Sequence, residues 1–156
     1  MTTLSRARLI AILAPNMLLW GAIGSQYLGE LHPCEMCYWQ RWPHIAAIGA
    51  ALVAIAARGK PGLSAVFTLL AALFLATSGA IGVFHAGVEY GWWQGLTSCA
   101  TSGGGVSLES IMNTPLVRCD VPQWTLGGIS LAGFNAIFSL SAALAIFAFV
   151  LRRRNA

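Results

Sequence analysis

The chain has very little charge. Of its 156 residues nine are Lys or Arg and five are Asp or Glu, 9% in all, against about 25% in an average soluble domain. With 57% of the residues hydrophobic, a soluble core of this size could not bury the apolar side chains, which leaves a bilayer as the solvent. There is no low-complexity tail, no long linker and no internal repeat. The net charge of +4 forms no basic stripe with interleaved aromatics, so a nucleic-acid partner is excluded. Cysteine is sparse too, at four residues.

What is abundant is the long apolar run. Hydropathy marks four, about Leu9–Leu28, Cys37–Ala57, Leu63–Val88 and Leu126–Leu151. Each meets the requirement of about 20 residues for a hydrocarbon core of about 30 Å. One domain, residues 1–156, is predicted: an all-α membrane protein, a four-transmembrane-helix bundle. The loops on one side span about 29–36 and 89–125. Seven cations (Arg6, Arg8, Arg58, Lys60, Arg152, Arg153 and Arg154) fall on the opposite side. The loop side holds Arg41, Arg118 and every acid: Glu30, Glu35, Glu89, Glu109 and Asp120. The positive-inside rule then places both termini in the cytoplasm and both cysteine-bearing loops in the periplasm. The first run could instead be a cleaved signal peptide, although it is long for one; the loops stay where they are either way.

Between the second and third runs, Arg58-Gly59-Lys60-Pro61-Gly62 reads as a tight turn. Small residues (Gly21, Gly24, Ala71, Ala72, Gly79, Ala80 and Gly82) permit close helix approach in lipid. In the long loop, residues 107–113, "SLESIMN", can form a short amphipathic helix on the membrane surface.

All four cysteines, Cys34, Cys37, Cys99 and Cys119, fall in the two loops. Three readings compete: structural staples, a zinc site, and redox-active pairs. Zinc lacks its second CxxC, since nineteen residues separate Cys99 from Cys119. A staple suits that second pair, but a bridge across Cys34–Cys37 closes too short a loop to constrain the unfolded chain. Redox is the reading CxxC spacing favours.

The strip from His44 to Ala57 is fourteen residues, too short to span; extended back to Cys37 it reaches about 31 Å at about 1.5 Å per residue. Cys37 therefore belongs at a helix N-terminus on the membrane boundary, where unpaired N–H groups favour a thiolate. Arg41, at i+4, shares its face. Pro43 implies either a kink or a regular helix starting nearer Trp42. Thiolate, cation and the aromatics Trp39 and Trp42 around an apolar mouth suit a flat, lipid-soluble, anion-forming oxidant, with a quinone the obvious candidate. Trp92 and Trp93 read as interfacial anchors. His85 and Glu89, four apart, are an ionisable pair at the end of the third run. His85 is either a packing residue or a proton donor near the oxidant; His32 and His44 carry no assignment.

"PCEMCYWQR" before the second run, the second cysteine pair, and "CDVPQW" followed by "GGISLAGFN" together resemble the DsbB family of bacterial inner-membrane disulfide-generating proteins. "FHAGVEYGWW" is similar to a branch that includes the DsbI type. The resemblance covers nearly the whole chain. It implies that Cys99 is attacked by a reduced periplasmic DsbA-like, thioredoxin-fold oxidase, with Cys119 as its mate. Electrons then pass to Cys34–Cys37, through a transient bridge between Cys34 and Cys119. Cys37 faces a quinone, ubiquinone or menaquinone, and Arg41 stabilises the cysteine–quinone charge-transfer state. Reoxidising so oxidising a partner needs an acceptor of still higher potential, which the cofactor supplies. A vitamin K epoxide reductase-like enzyme is the nearest rival, but those proteins place their CxxC late in the chain. A membrane protein with structural disulfides or zinc is the other, and neither needs Arg41 four residues after Cys37.

Overall fold

A computed structural model describes residues 2–95 and 117–154. Cys99 and the surface helix expected at residues 107–113 lie outside the described residues. Four long helices dominate: α1 (Thr3–Tyr27), α2 (Glu35–Ala56), α3 (Pro61–Glu89) and α4 (Leu131–Arg154). A 3₁₀ turn, Ala57–Gly59, links α2 to α3, and two short strands, β1 (Thr125–Leu126) and β2 (Ile129–Ser130), precede α4. All four helices are long and apolar enough to cross a bilayer. Leu13, Trp20, Leu52, Val66, Leu73 and Leu144 stand exposed around the bundle, an apolar surface that water would not tolerate at this extent.

Alanine makes the core. Ala7 and Ala11 of α1 meet Ala47 and Ala51 of α2, Ala71 and Ala72 of α3, and Ala143 of α4. Lipid removes the hydrophobic drive for helices to associate, so small side chains that bring backbones close supply it through dispersion. α3 packs most extensively, against α2 on one side and α4 on the other, and α1 closes the bundle against α4 and α2. Gly79 and Gly82 set the α3–α4 spacing. A Cβ on Gly79 would lie 2.7 Å from Leu140 Cγ, and one on Gly82 would lie 3.0 Å from both the Ala132 carbonyl oxygen and the Ala136 nitrogen.

Helix starts follow local chemistry. Cys34 is the N-cap of α2, with extended backbone (φ −77°, ψ 174°) and its sulfur accepting from the Cys37 amide. Pro43 does not delay or end α2, which runs unbroken from Glu35 through it. Cys37 consequently sits in the first turn. α4 starts at Leu131 rather than at Leu126, because Gly127 (φ +58°) and Gly128 (φ +80°) turn the chain back on itself. Thr125 pairs with Ser130 and Leu126 with Ile129 in the resulting antiparallel hairpin. Two successive positive φ angles are what a two-residue hairpin turn requires, and glycine adopts them without strain. The hairpin is pinned to the end of α3: Tyr90 donates its hydroxyl to the Gly128 carbonyl at 2.9 Å and accepts from the Ser130 amide at 3.1 Å.

Trp93 folds back on α3. Its indole N–H donates to the Phe84 carbonyl at 2.8 Å, and its ring stacks on Phe84 at 5.8 Å.

Candidate active site

Cys34 and Cys37 are neighbours at the start of α2, their sulfurs 2.9 Å apart, with the Cys34 thiol donating to Cys37 Sγ. The capping geometry dictates this arrangement, since an N-cap side chain turns towards the amide three residues on. The bond Cys34 donates to Cys37 and its burial hold the Cys34 thiol protonated, well above the ordinary thiol range. Cys119, also buried, packs into one cluster with Cys34, Met36 and Val88. The chain following Cys119 is tied to the first loop, where the Gln123 amide donates to the His32 carbonyl at 2.5 Å.

Arg41 joins α2 to α1. Nη1 donates to Gln26 Oε1 at 2.7 Å and Nη2 to the Ala22 carbonyl at 3.0 Å, while the guanidinium carbon lies 5.3 Å from the Tyr38 ring centroid. Its Nε is buried and has no partner among the described residues.

His85 reaches the cysteines from α3. Its Nε2 lies 3.6 Å from Cys34 Sγ and 3.8 Å from Glu89 Oε1. Glu89 accepts a short hydrogen bond from the Ser130 hydroxyl through its other oxygen. Nδ1 of His85 is 2.8 Å from the Gln40 amide nitrogen, which also faces the Met36 carbonyl at 3.2 Å. A carbonyl can only accept, so the Gln40 nitrogen is correctly the donor and His85 Nδ1 must accept from it. A neutral His85 then carries its proton on Nε2, the nitrogen near Cys34 and Glu89, and the ring also hydrogen-bonds to the Cys119 backbone.

The same logic runs deeper. Gln40 Oε1 accepts from Asn135 Nδ2 at 2.7 Å, which leaves Asn135 Oδ1 to accept from Ser139 at 2.9 Å and from His44 Nε2 at 2.9 Å. Ser78 donates to the Gln40 carbonyl at 2.9 Å and meets His44 Nε2 at 3.0 Å. A buried polar chain thus extends from Cys34 into the bundle through α2, α3 and α4. Such groups are costly in lipid unless every partner is supplied.

Beside this chain lies a cavity of about 310 Å³. Cys37, Arg41, His44 and His85 give it polarity, and Met17, Leu18, Phe134 and Phe138 contribute apolar wall. Trp39 and Trp42, expected at the mouth, are not among its lining residues; Trp124, Phe134 and Phe138 supply the aromatic faces instead. At about 100° per residue, Trp39 and Trp42 point well away from Cys37, while Gln40, Arg41 and His44, at i+3, i+4 and i+7, share its stripe. That period was readable in the sequence and would have flagged Gln40 and His44.

Two kinds of guest suit these groups. The two orphaned buried nitrogens, Arg41 Nε and His44 Nδ1, belong to residues lining an otherwise apolar cavity, which fits a flat, largely apolar ring bearing oxygen at its edge. Separately, ligand atoms of Cys34, Cys37 and His85 all lie within 4.8 Å of one another, a donor set suited to a soft divalent ion.

Four bilayer-length helices with a CxxC pair at one end of the bundle, Cys34 buried and Cys37 half-buried, define a membrane dithiol protein. Residues 5–150 match the family model described as "Disulfide bond formation protein DsbB". The chain belongs to the DsbB family, and is a multi-pass inner-membrane thiol oxidoreductase of disulfide bond formation. It is also similar to an uncharacterized protein of Rickettsia prowazekii (strain Madrid E), 25% identical over 123 residues that cover 74% of this chain and 70% of the relative. No solved structure matches it.

Proposed function

We propose that this protein is a dithiol:quinone oxidoreductase that reoxidises a periplasmic DsbA-like, thioredoxin-fold oxidase and passes the electrons to membrane ubiquinone or menaquinone. The carrying observation is the Cys34–Cys37 pair beside a cavity lined in part by Arg41, whose buried Nε–H has no partner among the described residues. A bound quinone supplies a sink for two electrons and two protons.

The protein's own groups divide the remaining work. Cys99 takes the partner's thiol and Cys119 is its mate. The shared cluster of Cys119 and Cys34 supports transfer between the two pairs by thiol–disulfide exchange. Cys37 is the sulfur that faces the oxidant, and Arg41 sets the charge beside it. The proton held on His85 Nε2, 3.6 Å from Cys34 Sγ in a ring that also bonds the Cys119 backbone, supports His85 as the acid that exchanges a proton with these cysteines rather than with the oxidant. The sorting of cations to the opposite end of the helices supports a periplasmic thiol end.

A zinc site is the second reading, favoured by the clustering of Cys34, Cys37 and His85. One assay separates the two. Purified protein mixed with a reduced periplasmic oxidase and excess decylubiquinone is expected to oxidise the partner's thiols at a rate unaffected by a strong zinc chelator. Thiol oxidation that does not need quinone, or that the chelator abolishes, contradicts the proposal.

A further inference from the structure

His44 is 3% exposed and belongs to the polar chain, yet its Nδ1 meets no hydrogen-bond partner among the described residues. Buried polar atoms in this position are rarely left unsatisfied, and His44 lines the cavity that holds Cys37 and Arg41. The state of that nitrogen is fixed by its surroundings. The Met36 carbonyl orients the Gln40 amide, Gln40 Oε1 orients the Asn135 amide, and Asn135 Oδ1 then faces His44 Nε2 at 2.9 Å. An amide oxygen cannot donate, so His44 Nε2 carries the proton. Ser78 agrees: its own proton goes to the Gln40 carbonyl, leaving its oxygen to accept from His44. Neutral His44, a residue of the cavity lining, therefore has a lone pair at Nδ1 and no proton there.

A lone pair selects between the two redox forms of a quinone. The oxidised form has only carbonyl oxygens at its edge and can make no hydrogen bond to such a group. The reduced form has hydroxyls and can donate one. We propose that His44 is a binding residue for the reduced form, a lipid-soluble quinol, accepting a hydroxyl hydrogen bond at Nδ1. It favours the product over the substrate in the cavity and so draws the electrons forward from the dithiol. This rests on the quinone reading above and adds to it which redox form His44 recognises.

The test is equilibrium binding, with no turnover. Full-length protein carrying Cys34→Ser and Cys37→Ser exchanges electrons with neither form, so dissociation constants for decylubiquinone and decylubiquinol can be measured separately. In that background His44→Gln keeps an amide N–H near the place of Nε2, for Asn135, and deletes the acceptor at Nδ1. Quinol affinity is expected to fall about tenfold, with quinone affinity within about twofold, the loss being one buried hydrogen bond. His44→Asn restores an amide oxygen near Nδ1 and is expected to keep quinol affinity within about threefold of the parent. If His44→Gln weakens both forms equally or neither, or if His44→Asn behaves like His44→Gln, the assignment is overturned. A parent that binds neither form overturns the quinone reading along with it, a result distinct from equal binding of both forms by parent and variants.

Discussion

Arg41 holds α1 with its terminal nitrogens, through Gln26 and the Ala22 carbonyl, and keeps a buried Nε that has no partner among the described residues. Hydrogen bonds to charged groups contribute about 1.5–3 kcal/mol, so Arg41→Ala is expected to raise the apparent KM for quinone about tenfold or more. The KM for the reduced partner protein should stay within about twofold, since the proposed partner would dock at the cysteine loops; unchanged quinone kinetics would contradict the role given to Arg41. Cys34 carries a prediction of its own. Its thiol is held above the ordinary range by the bond to Cys37 and by burial, so it stays protonated throughout the neutral range, and the thiol form does not react with alkylating agents. Brief iodoacetamide treatment of the reduced native protein near neutral pH should label Cys37 and spare Cys34, read by peptide mass spectrometry. Preferential labelling of Cys34 would reverse the assignment of the two sulfurs. At this scale the sequence exposed Cys34, Cys37 and Arg41 through spacing alone, and Gln40 and His44 lay on the same helical stripe unread. Asn135 was not legible, since its partners Gln40 and His44 come from another helix, 95 and 91 residues away along the chain.

Elements place those residues, and the α3–α4 contact is the most sensitive of them. Gly82 lies so close to α4 that an added Cβ would meet the Ala132 oxygen and Ala136 nitrogen at 3.0 Å and Asn135 Nδ2 at 3.2 Å. Backbone yields less readily than a side-chain tip, so Gly82→Ala is expected to cost about 1–3 kcal/mol of stability. Because Asn135 is pushed as well, thermal unfolding in detergent should shift downward together with a loss of quinone affinity, whereas Gly49→Ala, with open space around it and outside the cavity lining, should lower neither. An unshifted Gly82→Ala would mean that the helices are not packed at this distance. The run beginning at Leu126 shows why helix boundaries were less legible than helices: the hairpin residues Thr125 to Ser130 are apolar enough to read as span, and only the Gly127–Gly128 pair marks a turn. Of the two arrangements Pro43 allows, the late helix start is not the one adopted, since α2 is already helical from Glu35. Membrane helices absorb such a residue where neighbouring groups satisfy the backbone.

For the whole molecule, scarcity of charge identifies the solvent, and the seven cations away from the cysteine loops give the orientation we propose. Composition and hydropathy carry both, which is why the four-helix architecture was legible before any contact was known. The cavity was not, because its apolar wall is drawn from α1 and α4 residues that in sequence look like any lipid-facing Met, Leu or Phe. The central claim is that Cys34 and Cys37 deliver their electrons to a quinone seated beside them. Pre-reduced protein mixed with one equivalent of decylubiquinone, without any partner, tests it by comparing the loss of quinone absorbance with the Cys34–Cys37 disulfide found by peptide mapping. The account predicts one quinone reduced for each such disulfide formed, and no reduction in Cys37→Ser. Quinone reduction that persists in Cys37→Ser, or that proceeds without this disulfide, would contradict it.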